Sequence, residues 1–291
     1  MKKTLFVIAL LVGLVSQGFT QPVVPKGDFS KKLKKASGEP GKFVVGKDNF
    51  PKSYFLVHKN LPFLAGLSLH HPKSSSLGLS KKQIDAILEI KKRTVPAVIK
   101  AAKKIKKLEL QLAQNIAIES NSAKSQYQLV EEIGQLRTQL TKAHLQCINE
   151  VRAVLSKEQY KILLSYATKM SYKAKSSKFK IDELVILPHP GKFIKLGKVN
   201  VTKDQKNRIE KEVKAVYAPI FQDKIREAYT LETKVQRMVA KGKTKKDLKD
   251  LLDQISQLKR EAIDSRIDAL NHMKKILNKK QWEQINKLTY R

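Results

Sequence analysis

The chain is poor in the residues that most often announce chemistry. It holds one cysteine, Cys147, and one tryptophan, Trp282, and only 9 of its 59 basic residues are arginine. A single cysteine excludes an internal disulfide framework and a paired-thiolate metal site. The shortage of arginine argues against a base-reading nucleic-acid binder, because such proteins lean on the bidentate guanidinium fork. Acids are scarce too: 26 against 59 bases, for a formal net charge of +33. A lysine-dominated excess spread over the whole length describes a solvated, weakly attractive surface. Runs of strand character are almost absent, "DELVILP" (Asp182–Pro188) being the one short candidate.

Long apolar runs are lacking as well. The exception, "LFVIALLVGLV" (Leu5–Val15), follows Lys2 and Lys3 and precedes "SQGFTQ". A basic start, a short apolar core and small residues near a cleavage point make the pattern of a secretory signal peptide. The run is too short to span a bilayer comfortably. The expectation is a signal peptide at 1–20, cleaved after Gly18 or Thr20, and a periplasmic location. No cysteine follows to carry a lipid anchor. Residues 21–55 hold "KKLKK" among Gly, Ser and Pro and read as a flexible basic tether.

What the sequence does hold is an internal repeat. "GLSKKQID" (Gly78–Asp85) and "VLSKEQYKIL" (Val154–Leu163) return as "NVTKDQKN" (Asn200–Asn207) and "ILNKKQWEQI" (Ile276–Ile285). Leu79 and Val201 lie 122 residues apart, as do Leu155 and Leu277. At that offset "LVEEIGQLR" (Leu129–Arg137) lies over "LLDQISQLK" (Leu251–Lys259). The register reads as unbroken over the whole repeat. The period is too long for a solenoid unit, so the chain reads as a duplicated domain, 56–170 and 171–291.

Each half has helical periodicity. From Ile84, apolar residues recur at Ile87, Leu88, Val95, Val98, Ala102, Ile105, Leu108 and Leu112, the spacing of one long amphipathic helix. Pro96 is expected to kink or break it, and Pro219 lies one residue off the equivalent position. After a polar break come Leu129, Ile133, Leu136, Leu140, Cys147, Val151 and Val154, mirrored by Leu251, Ile255, Leu258, Ala262, Ala269, Met273 and Ile276. The near-heptad spacing predicts long antiparallel helices at a shallow angle. The expected fold is all-α: two tandem hairpins of long helices with short flanking helices, packed as an intramolecular pseudo-dimer.

The repeated motif has a physical job. Ser80/Gln83, Ser156/Gln159, Thr202/Gln205 and Asn278/Gln281 are capping boxes, in which the cap side chain bonds the third amide and Gln reaches back. The preceding Leu79, Leu155, Val201 and Leu277 can staple onto Ile84, Tyr160, Lys206 and Trp282, the Val201–Lys206 staple being weak. One box opens the first long helix of each half and another follows the second. With "LSKKQ", "LSKEQY", "VTKDQ" and "LNKKQW", the chain resembles the Spy/CpxP family of periplasmic proteins, marked by a pair of Leu-Thr-x-x-Gln motifs. The resemblance covers Leu79–Ala167 and Val201–Tyr290, with Ser or Asn in place of Thr and Val in place of Leu. It implies a thin helical hairpin that pairs into a curved cradle, and ATP-independent chaperone or stress-sensor activity. Some relatives bind metal.

"GKT" (Gly242–Thr244) has Arg237 where a phosphate loop needs its first glycine, and reads as a turn. No two histidines stand at i,i+4; His70–His71 is the one cluster and the candidate ligand pair for a divalent transition metal. No Ser/His/Asp or Cys/His arrangement can be assembled, so neither an enzyme nor a cofactor is expected. Four basic runs remain, among them Lys100–Lys107 and Lys241–Lys249. Lys100, Lys103, Lys104, Ile105 and Lys107 are the candidate client contacts, a basic apron whose lysine stems cover apolar surface. The leading expectation is a monomeric holdase for unfolded envelope proteins, without nucleic-acid partner or stable membrane insertion. The alternatives are a periplasmic metal-binding or metal-sensing stress protein, and an adhesive for anionic lipopolysaccharide.

Overall fold

The computed structural model describes residues 55–57, 61–71, 73–117, 122–169, 185 and 187–289. The signal-peptide segment and residues 21–54 lie outside them. The fold is all-α, as the periodicity predicts, and no strand occurs among the described residues. Val185 and Leu187, from the candidate strand, are instead core residues at 1% and 0% exposure.

In chain order the elements are α1 (Leu64–His70), a 3-10 turn (Ser74–Leu77), α2 (Lys81–Ala117), α3 (Ala123–Val154) and α4 (Lys157–Lys169). Then come α5 (Pro190–Lys195), α6 (Lys203–Arg208), a π-helical turn (Ile209–Lys214), α7 (Ala215–Ala240), α8 (Lys249–Ile276) and α9 (Lys279–Thr289). Helices α2 and α3 run antiparallel. Arg93 pairs with Glu150 at 2.6 Å, Lys104 with Glu132 at 2.7 Å, and Asn115 bonds Gln126 at 2.7 Å. Helices α7 and α8 pair likewise, with Lys224 on Glu261 at 2.6 Å.

Two sequence expectations change here. Pro96 does not break α2, which continues through it for 37 residues. The register is not unbroken either. The motifs and the second long helices keep an offset of 122. Along α7 the inward residues lie 123 beyond their partners, Ile225 for Ala102, Ala228 for Ile105, Val235 for Leu112 and Val239 for Ile116. The π-helical turn absorbs the extra residue: an i→i+5 turn takes one more residue than an α-turn without rotating the apolar stripe off the core. It also explains why Pro219 sits one place late.

The halves meet across α3 and α8, which are also antiparallel: Glu131 pairs with Arg260, and Lys142 with Asp253 at 3.6 Å. A Cβ on Gly134 would stand 3.4 Å from Ser256 Oγ. These two residues are equivalents in the repeat. Like meets like only on an axis, so a pseudo-two-fold axis passes between them.

The core follows from that symmetry. One apolar cluster joins Leu112, Ile116 and Ala123, at the tip of the first hairpin, to Ile276, Trp282 and Ile285 of the second half. The other joins Val235, Val239 and Leu248, at the second tip, to Ile87, Val151 and Leu163 of the first half. Neither hairpin is thick enough to bury both faces of its helices. Each fully buried Leu or Ile contributes about 1.5–3 kcal/mol, and here part of the burial is supplied by the other half. Phe55, at the end of the stretch assigned to the tether, is 3% exposed and belongs to this core.

Candidate functional site

All four capping boxes form. Gln83 N–H donates to Ser80 Oγ at 3.2 Å and Ser80 N–H to Gln83 Oε1 at 3.0 Å; the Ser156/Gln159 bonds are 3.1 and 2.9 Å. Those of Thr202/Gln205 are 3.1 and 3.0 Å, and of Asn278/Gln281 2.9 and 2.8 Å.

The structure then does something sequence spacing does not reveal: it brings the two motifs of each half together. Gln83 Nε2 donates to Gln159 Oε1 at 2.8 Å and to Val154 O at 2.9 Å. Gln159 Nε2 returns bonds to Gln83 Oε1 at 3.3 Å and to Leu77 O at 3.2 Å. In the second half Gln205 and Gln281 exchange amide bonds at 3.0 Å each way, and their remaining hydrogens go to Ile276 O at 2.9 Å and Asn200 O at 2.7 Å. An amide offers two donors and two acceptor sites; Gln83, Gln205 and Gln281 use all four. Glutamate would lack the donors and place two like charges in contact. Around the motifs, Leu155 and Tyr160 pack on one cluster, and Leu277 and Trp282 lie in the other. Ile84 stays 36% exposed, outside that packing.

Each half also buries one ion pair, which the sequence reading missed. Glu109 pairs with Arg137 and Glu232 with Lys259, the latter at 2.5 Å, all four side chains 4–6% exposed. Burial pushes the Glu109 carboxyl up, against the pull of Arg137. Lys259 Nζ also donates to Leu56 O at 2.5 Å, and Leu56 N–H donates to Arg137 O at 3.2 Å, so residues 55–57 bridge the two halves. The available signal was a glutamate inside an apolar stripe at matching places, after Leu108 and after Leu231.

His144 and its equivalent Arg266 differ in type but share a task. His144 Nε2 bonds Pro62 O at 3.2 Å, and Arg266 Nη2 donates to Pro188 O at 2.6 Å. His144 stacks on Phe63 with centroids 4.4 Å apart, and burial lowers its pKa to about 4. Cys147 borders a cavity of about 50 Å³ with Phe63, Thr94, Val95 and Val98. Burial lifts its thiol to about 11, which suits an inert packing residue.

The candidate metal ligands turn apart. His70 Nε2 lies 2.9 Å from Lys91 Nζ; its pKa is lowered, first by burial and then by that ammonium. The His71 ring stacks on Tyr166 at 4.4 Å, and its Nδ1 accepts the Lys73 N–H at 3.1 Å. No group of three or more His, Cys, Asp or Glu able to hold a metal occurs among the described residues. Of the candidate client contacts, Lys100, Lys103, Lys104 and Lys107 are exposed, Lys104 being spent on Glu132. Ile105 is not available: it is 0% exposed and faces the core. The apolar surface lies elsewhere. Ile84 and Leu88 are 36% and 43% exposed, and Val216 and Ile220 are 49% and 44% exposed. The helical spacing puts Ile84, Ile87 and Leu88 in one apolar stripe; the structure buries Ile87, together with Ile90, and leaves Ile84 and Leu88 exposed.

No protein-family model, curated protein or solved structure matches this chain. No helix among the described residues is long and apolar enough to cross a membrane.

Proposed function

We propose that this protein is an ATP-independent, chaperone-like protein of the periplasm, holding unfolded envelope proteins on a basic, partly apolar helical surface. The observation that carries this reading is the pair of exposed aliphatic residues at i,i+4 in each half, Ile84/Leu88 and Val216/Ile220. They stand among the exposed lysines Lys81, Lys82, Lys92, Lys211 and Lys214. Exposed aliphatic pairs gain from any apolar segment that covers them, while surrounding ammonium groups attract acidic chains and keep the encounter reversible. The capping-box pairs favour the same reading through their resemblance to the Spy/CpxP motif, and the tandem halves take the place of that family's two subunits.

The test is aggregation of reduced α-lactalbumin, an acidic protein, followed by light scattering without nucleotide. The purified chain is expected to suppress scattering at near-equimolar ratio, and the double substitution Leu88→Ser with Ile220→Ser to weaken suppression without unfolding the protein. No suppression at large excess over client would sink the reading.

A further inference from the structure

The lysine run after α7 finds a use only when the halves are seen together. Gly242, at φ 86°, lies directly against Arg152 of the first half, and a methyl group there would overlap the guanidinium. Arg152 stands near the end of α3, so a guanidinium of one half lies against the turn of the other that carries Lys241 and Lys243 on either side of Gly242, with Lys245 and Lys246 following in sequence. None of these five cations comes within 4.0 Å of a carboxylate oxygen among the described residues. Asp247, the one acid of the turn, accepts the Thr244 N–H at 2.7 Å and its hydroxyl at 2.9 Å, and the charges of Lys243 and Lys246 also help hold its carboxyl below the usual range. Beside Arg152, the buried Tyr160 hydroxyl has no hydrogen-bond partner.

The duplication supplies an internal control. The equivalent of Arg152 is Lys274, whose ammonium sits 5.4 Å from the centroid of the Trp282 ring. The equivalent stretch of the first half, 119–124, carries one acid, Glu119, and one lysine, Lys124, where the second half has four lysines and no acid. At that end Ala117 O accepts from Trp282 Nε1 at 2.9 Å and Asn286 Nδ2 at 2.8 Å. Among the described residues, the carbonyl at the first tip is thus met by neutral donors, whereas the second tip gathers several cations around a single acid. Packing between the halves does not require five like charges, which repel one another across a turn.

We propose that Arg152 with Lys241, Lys243, Lys245 and Lys246 forms a binding site for clustered phosphate groups. The guanidinium fork takes one phosphate bidentately, and the lysines neutralise its neighbours as point charges. Clustering matters, because a lone exposed ion pair gains little in water. The site does not depend on the chaperone-like reading, because it needs no unfolded client.

The probe is tripolyphosphate, titrated calorimetrically into the purified chain at 0.15 M salt, where screening acts over about 8 Å. Saturable binding near one per chain is expected. Arg152→Gln should weaken it by about tenfold, the loss of one charge-assisted bond. Lys280→Gln removes the same charge at the opposite end and should weaken it far less. Thermal unfolding checks that Arg152→Gln folds; should it not, the exposed pair Lys243→Gln/Lys246→Gln replaces it, with the same loss expected. Phosphatidylglycerol vesicles in a flotation assay identify the source. Arg152-dependent binding to vesicles points to lipid headgroups, and binding to tripolyphosphate alone points to free phosphates; either supports the site. Equal losses for the two single variants, or no saturable binding to either probe, overturns it.

Discussion

Gln83 and Gln159, 76 residues apart, exchange amide hydrogen bonds of 2.8 and 3.3 Å, and Gln205 and Gln281 repeat the exchange at 3.0 Å. Each glutamine caps its own helix and clamps the start of one long helix to the end of the next. Gln205→Glu should therefore destabilise more than Gln205→Ala, because a carboxylate cannot donate to Ile276 O and faces the Gln281 oxygen. Losses of about 1–3 kcal/mol are expected by chemical denaturation. Equal stability of the Glu variant and the native chain would contradict the clamp.

The buried Glu109–Arg137 pair gives a second prediction. Arg137→Met alone strands a carboxylate in the core and should cost about 3–5 kcal/mol. The double change Glu109→Leu with Arg137→Met should recover most of that loss, as measured by a double-mutant cycle.

His144 should titrate with a midpoint near 4 in NMR, because burial disfavours its charged form. The folded pKa lies below the unfolded value of about 6.5. Its contribution is fully present above pH 6.5 and is lost as pH falls toward 4. The stability at stake is on the order of 3 kcal/mol, and His144→Gln should flatten the acid limb of the stability curve over that window.

The π-helical turn predicts an asymmetry between two deletions. Removing Lys211 lets Ile209–Lys214 relax to an α-turn with the register of α2, and the protein should stay folded. Removing Glu227, inside regular α7, rotates the following residues by about 100° and swings Val235 and Val239 off the core. Circular dichroism melts of the two variants check this.

Trp282 is the one tryptophan and is 4% exposed, donating to Ala117 O of the other half. Its fluorescence therefore reports docking of the halves. The covalent connection between the halves, Thr168–Asn200, places each at roughly millimolar effective concentration for the other, so a monomer is expected by light scattering at micromolar concentration. The Trp282 transition should coincide with loss of helicity. A stable dimer, or an early Trp282 transition with the helices intact, would contradict pairing within one chain.

The helices and their starts were legible in the sequence because both depend on local order. A 3.6-residue apolar spacing needs only neighbours on one helix, and a capping box spans four residues. The repeat was legible too, since its copies can be laid side by side. Tertiary structure alone decided which apolar residues are buried: Ile84, Leu88 and Ile105 all satisfy the spacing, yet only Ile105 lies in the core that the two hairpins share. It alone paired Gln83 with Gln159 and Glu109 with Arg137, because contacts between side chains on different helices depend on how those helices cross. The sequence showed a glycine among lysines at 242 and an arginine at 152, in different halves. The pseudo-two-fold packing, driven by hairpins too thin to bury both faces alone, brought them into contact.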